Sequence, residues 1–229
     1  MNASQRQSRV ELPELDVGLT LVDVGSDLGV TPVQSLLLDR VFAGDGDAYW
    51  VDAAGAARTT RLRELAADKR YLRRVHVARG FTAYQQTSLL DRLIGEHVTT
   101  PSVVVATGID RLYREDDVPT AHAKELLVRS IAALARVGRV HDVPVIVTRS
   151  SGDEFTEPVV KAAKTQLHCQ NTQFGPRFTD AAGDVEALVY QLGDGWVQTT
   201  LAYWQEVLAH RAQMHDTPVV SEETAPQIS

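Results

Sequence analysis

Short apolar runs alternate with amphipathic segments from residue 19 to residue 149. "LTLVDV" (19–24), "AYWVDA" (48–53), "RVHVARGF" (74–81), "PSVVVAT" (101–107) and "VPVIVTRS" (143–150) are short and bounded by breakers, and they read as strands. Between them, "TPVQSLLLDRVFA" (31–43), "TTRLRELAADKRYL" (59–72), "AYQQTSLLDRLIGEH" (83–97) and "AHAKELLVRSIAALARVGRVH" (121–141) read as helices. Leu89, Leu90, Leu93 and Ile94 share one helix face, as do Leu127, Ile131, Leu134 and Val137. The β-branched run at 101–107 marks a strand buried on both faces. This alternation predicts right-handed βαβ units, hence an α/β domain with a parallel sheet and helices on both faces.

After residue 150 the pattern changes. "SGDEFTEP" reads as a long loop, and "KTQLHCQNTQF" and "DVEALVYQLGDGWVQTTL" as shorter antiparallel strands at the sheet edge. "LGDGW" (192–196) fits a hairpin turn, and "AYWQEVLAHRAQM" a closing helix. Trp196, Tyr203 and Trp204 are expected to pack that helix on the sheet. The expected organisation is a flexible segment over 1–17, a core domain over 18–213 and a disordered tail over 214–229.

A chain of 229 residues can bury a full core without disulfides. Its single cysteine, Cys169, has no partner within the chain, which suits a reducing compartment. "MNASQRQSRVELPEL" lacks an apolar signal core, and no run approaches a bilayer span of roughly 20 residues, so the expected location is cytoplasmic. The net charge of −7 argues against a broad basic face for nucleic acid.

"DVGSDLGVTPVQ" (23–34) joins the first strand to the first helix. A strand, a glycine loop and a helix are the layout of a phosphate-binding P-loop, whose amides and lysine hold phosphate. Thr31 is placed to cap the helix, Pro32 to open it, and Gln34 to complete a Thr-x-x-Gln capping box. A plain self-capped turn therefore competes with a nucleotide site here.

Four segments in register resemble the RecA-type recombinase core of archaeal RadA and RadB and their eukaryotic relatives. "YWVDAAGAARTTRLRELA" is similar to that family's Y-I-D-T-E-G-x-F-R-x-E-R-L segment, and "VHVARGFTAYQQTSLLDRL" to its V-x-V-A-R-A-F-x-x-x-H-Q-x-x-L-L segment. "SVVVATGIDRLYREDD" resembles the Walker B strand and its sequel, and "HDVPVIVTRS" the strand ending in Thr-Asn-Gln. The resemblance covers residues 19–150 and lacks the family's N-terminal helical DNA-binding domain, so the chain is nearest the short RadB-like form. It implies a RecA-like P-loop NTPase fold: a mostly parallel central sheet, helices on both faces and antiparallel strands at the C-terminal edge.

The same register shows replacements. The nucleotide-pocket remnant comprises Gly25, Gly29, Val30, Thr31, Ala54 and Thr107. Val24 stands at the first glycine position, Val30 at the phosphate-binding lysine, Ala54 at the water-orienting glutamate and Thr107 at the Walker B aspartate. Arg149 and Ser150 replace the Asn-Gln pair, and Asp27 adds an anion to the loop. Phosphoryl transfer rests on positioning and charge stabilisation, and three of its charged groups are absent. The resemblance then implies a pseudo-ATPase: no catalytic residues, no metal, no required cofactor, and room for weak ATP binding without hydrolysis.

In RecA-type proteins the loops after Walker B and after the next strand face single-stranded DNA. Their counterparts are 108–120, carrying Arg111, Tyr113 and Arg114, and 150–163. Both are acidic on balance, against the needs of a single-strand groove. The basic cluster lies elsewhere: Arg58, Arg61, Arg63, Lys69, Arg70, Arg73, Arg74 and Arg79. It reads equally as a solvated face or as a docking surface for an acidic protein or a nucleic-acid backbone. Arg70, Arg73, Arg74, Arg114 and Arg149 are the candidate contacts to a partner or nucleic acid. "HCQ" (168–170) lacks a second ligand pair at zinc spacing, so a strand position is expected.

The expected function is an inactive RecA/RadB-like accessory protein of DNA recombination or repair. It would act through a recombinase or another repair or replication protein. The alternatives are a single-stranded nucleic-acid module using residues 58–79, a non-hydrolysing nucleotide-binding protein, and an adaptor unrelated to DNA. No Phe-x-x-Ala linking motif occurs in the first 18 residues, which speaks against filament self-assembly.

Overall fold

A computed structural model describes residues 12–53, 55, 57–93, 98, 101–116, 118–172, 175–180 and 200–216. Among these residues seven strands form one sheet: β1 (Gly18–Val24), β2 (Asp47–Ala53), β3 (Val75–Gly80), β4 (Pro101–Thr107), β5 (Pro144–Val147), β6 (Thr165–Thr172) and β7 (Gly175–Asp180), in the order β3-β2-β4-β5-β1-β6-β7. Every neighbouring pair is parallel except β6 and β7. The helices are α1 (Thr31–Ala43), α2 (Thr59–Leu65), α3 (Ala83–Arg92), α4 (Thr120–His141), α5 (Glu157–Ala162) and α6 (Thr200–Asp216).

The strand order fixes where the helices lie. From β1 the chain crosses to β2 and outward to β3, then reverses through β4 and β5 to β6. Right-handed crossovers in opposite directions place their helices on opposite faces. Accordingly α1 and α2 pack on one face, joined by α6, and α3, α4 and α5 on the other. β4 feeds both sides, with Val103 and Val105 in the first core and Val104 and Ala106 in the second. The period of two along a strand explains this, and the unbroken β-branched run announces it. No described helix is long and apolar enough to cross a membrane.

Several local expectations need correction. Thr31 is the first residue of α1, not its cap; Val30 holds the cap position with helical backbone, φ −92° and ψ −1°, and no side chain caps the helix. Gln34 is buried and donates from Nε2 to the Arg58 carbonyl at 3.2 Å, so the capping box does not form. A cap needs extended backbone outside the helix, and Thr31 already lies inside it. The second helix stops at Leu65 because Ala66 turns extended; Asp68 then starts a 3-10 turn over Lys69–Arg74 by accepting from the Arg70 amide at 2.8 Å. The expected loop after residue 150 contains a 3-10 turn over Glu154–Thr156 and then α5. β6 is antiparallel to β7 but parallel to β1.

Leu12 and Leu15, in the segment expected to be loose, are buried in the α1-side core. Trp204 and Tyr203 pack α6 as expected, Trp204 being 1% exposed with its ring 6.0 Å from that of Phe178. The strand and turn expected within 184–199, with Trp196, lie outside the described residues, as do Ala54 and Ile94.

Candidate functional site

β1 and β5 are neighbours whose following helices leave to opposite faces of the sheet. Such a switch point opens a crevice at the carboxyl ends of the strands. An open cleft of about 580 Å³ lies there. It brings together Gly25, Gly29, Val30, Thr31 and Thr107, all expected in one pocket, and Ala53 lines it beside the undescribed Ala54.

The loop from Gly25 to Val30 is a tight turn. Gly25 donates its amide to the Cys169 carbonyl at 2.8 Å, and Leu28 donates back to Gly25 at 3.0 Å. Gly29 sits at φ +57°, a backbone state that favours glycine. Leu28 is buried and Val30 packs partly against the same core. Their apolar side chains therefore anchor the loop to the core and offer no charge to the cleft. A side chain at Gly25 would meet the Asp27 carboxylate at 3.0 Å, which places that anion directly over the loop.

Thr107 has been absorbed into the core polar network. Its Oγ1 accepts from the Trp50 indole N–H at 3.0 Å and donates to Asp52 Oδ1 at 3.4 Å. Asp52 is fully buried and accepts from Arg79 Nε at 3.0 Å, while Arg79 also donates to the Ala57 carbonyl. The nearest buried carboxylate is thus held by an arginine on the edge strand.

Two other expected contact residues are likewise engaged internally. Arg149 grips Asp23 with both ends of its fork, at 2.8 and 2.6 Å. Arg114 donates to the fully buried Asp110 at 2.6 Å and to Asp153 at 2.9 and 2.6 Å, with its guanidinium 4.7 Å from the Phe155 ring centre. Asp110 also accepts from the Ser150 amide and hydroxyl, both at 2.6 Å. The loops after β4 and β5 are therefore clasped to each other, and Arg114 and Arg149 already have anions.

The hydrogen bonds from Arg114 hold the Asp153 carboxyl down at about 2, from an ordinary 3.8. A depressed carboxylate adds stability above its unfolded pKa and loses it as the pH falls through the folded one. The contribution from this clasp is therefore complete above about pH 4 and disappears towards about pH 2. Carbon-detected NMR of the Asp153 carboxyl will show a midpoint near 2, moving towards 3.8 in Arg114→Ala.

Of the basic cluster, Arg74 donates to the Gly44 and Gly46 carbonyls and fastens the α1–β2 turn. Arg70 lies over the Tyr71 ring, donates to its hydroxyl at 2.9 Å and pairs with Asp68. The Arg73 side chain is exposed and makes no hydrogen bond or ion pair among the described residues. The cluster is thus divided, with most of its distinctive members serving the fold.

The sequence reading missed Arg58, Arg61 and Arg111 as members of this cleft. Arg58 and Arg61 come from the start of α2 and Arg111 from the turn after β4, so the residues converge only once β2 and β4 pair. Gly108 sits at φ +58°, a backbone state that favours glycine, and its carbonyl accepts from the Arg111 amide at 2.9 Å, which opens the turn that carries Arg111. An arginine repeated after consecutive strand ends was the available signal.

Cys169 faces the core, and burial pushes its thiol up to about 12, with Asp27 adding to the effect. It will stay unlabelled by iodoacetamide at neutral pH and react once the chain is unfolded. His168 stands beside it on β6, as expected of a strand residue, and no group of three His, Cys, Asp or Glu among the described residues could hold a metal ion. Compared with known proteins, the chain matches no family model and no curated protein.

Proposed function

We propose that this chain is a RecA-like accessory protein of DNA recombination or repair that does not hydrolyse ATP and acts through protein contacts. The observation that carries this reading is the replaced chemistry at the cleft. Val30 stands where a phosphate-binding lysine would, and Thr107 is committed to Trp50 and Asp52. Ala54, by sequence register, cannot orient a water. Phosphoryl transfer without the lysine, the acid and the metal-orienting carboxylate has lost its main sources of charge stabilisation. The strand order, with β5 between β1 and β4, supports a nucleotide-type α/β core. The resemblance at residues 19–150 supports the recombinase branch of it. The engagement of Arg114 and Arg149 by carboxylates supports protein contacts over a single-strand groove.

The purified chain will show no ATP turnover above buffer with Mg²⁺, and Val30→Lys will not create any, because one cation leaves the other two positions unchanged. A phosphate-release assay checks both; turnover that disappears on altering Thr31 would end the reading. Affinity purification from the native cell is expected to bring down a recombinase, a single-strand-binding protein or a replication factor. Their absence favours an adaptor unrelated to DNA.

A further inference from the structure

We propose that this chain pairs with a second copy of itself through the outer face of α4, antiparallel and about a two-fold axis at Ala132. The pairing is independent of the function proposed above.

α4 lies on the sheet with one side and shows the other to solvent. Leu127, Ile131, Leu134 and Val137 face the core. The opposite line of the helix runs through Glu125, Val128, Ala132 and Arg139, all exposed. A helix face turned to water ordinarily carries polar and charged residues. Here the middle of the line is apolar, with Val128 50% exposed, and the charges stand at its ends.

The order of residues along this face makes it its own complement. A two-fold contact requires that what stands above the axis suit what stands equally far below it. Glu125 and Arg139 lie two turns to either side of Ala132, so an antiparallel copy sets each Glu125 against the other's Arg139. Val128 and Arg136 lie about one turn to either side, so the Arg136 stem covers the second copy's Val128 and leaves its guanidinium in water. Lys124 stands to the exposed Val140 in the same way. Ala132 meets only itself, and its short side chain lets two helices approach to about 8 Å, the near end of the usual range. In this register no cation stands opposite another.

The charges are available for such a contact. Lys124, Arg136 and Arg139 are exposed, and their side chains have no acceptor among the described residues. Glu125 is exposed and meets His122 at 3.3 Å. Arg129, paired with Asp91 on α3, stands to the side of the line. A uniformly acidic partner would set like charge against Glu125, whereas a second copy answers both signs at once. One helix face is smaller than the roughly 1,600 Å² of a standard interface, so the dissociation constant is expected on the order of 10–100 µM.

Sedimentation velocity of the intact chain at low ionic strength, from about 5 µM to about 500 µM, tests this. The mass is expected to rise from one chain to two and to stop there. Ala132→Arg brings two cations together on the axis, and Glu125→Arg or Arg139→Glu sets like charges opposite. Each is expected to weaken pairing at least roughly tenfold. The Glu125→Arg and Arg139→Glu chains mixed one to one are expected to pair again, because every contact between the unlike copies regains opposite charges. Circular dichroism melts report the folding of each variant. A chain that stays single at the highest concentration overturns the proposal. So does a dimer indifferent to Ala132→Arg, single variants that fail to pair on mixing, or assemblies that grow past two copies. A monomer leaves the accessory reading standing; a dimer that turns over ATP would sink that reading and leave this one.

Discussion

Trp50→Ala will lower the unfolding free energy by about 3–5 kcal/mol, read as a fall in the urea midpoint. Trp50 is 1% exposed on β2, which sits between β3 and β4, and its ring fills the core beneath α1. Alanine leaves a cavity that strands hydrogen-bonded on both sides cannot collapse to fill. It also removes the N–H that the Thr107 hydroxyl accepts. Trp50→Phe separates the two losses. It keeps most of the ring and loses only the hydrogen bond, at about 1–2 kcal/mol with repacking. If alanine cost less than phenylalanine, the ring would not be where the core requires it.

Asp110→Ala comes next, at about 3 kcal/mol, discounted for the partial exposure of Arg114. The Asp110 carboxylate is fully buried and takes three donors, the Ser150 amide, the Ser150 hydroxyl and Arg114 Nε, each at 2.6 Å. Removing it strands the Ser150 amide and leaves Arg114 to Asp153 alone. Asp110→Asn should cost nearly as much, because a side-chain amide presents a donor where Asp110 meets only donors. Hydrogen exchange adds a second readout: the Ser150 amide will lose protection in both variants, while amides of β4 keep theirs. Unchanged protection at Ser150 would show that the clasp between the two loops is not what orders them.

What was legible in the sequence follows from what is local. The run Val103–Ala106 announced a strand covered on both faces, since neither face could be left to water. The α1 and β4 boundaries followed from Pro32, Gly44 and Pro101, residues that stop or start an element wherever they stand. The capping box failed because Gln34 found a longer-range acceptor, the Arg58 carbonyl, which no local pattern shows. The end of α2 was hidden because Ala66 and Ala67 are good helix formers, yet the chain must turn there to reach the Asp68 cap and feed β3. The cleft was half legible: one loop gave Gly25 to Thr31, but its arginines arrive from three other strand ends. Arg149 looked free because its carboxylate, Asp23, comes from another segment; Arg114 has one partner four residues away, Asp110, and a second, Asp153, that only the fold brings to it.

α6 closes the face that α1 opens, with Arg211 gripping the nearly buried Asp39 at 2.6 and 2.9 Å across 172 residues of sequence. During synthesis at roughly 5–20 residues per second, α1 leaves the ribosome about 10–30 seconds before its cover exists. Throughout that interval Leu36, Leu37, Val41 and Phe42 have no α6 to shield them. The nascent chain is most exposed to aggregation in its first half, and a ribosome stalled before α6 releases a product with a sticky flank, a natural substrate for chaperones.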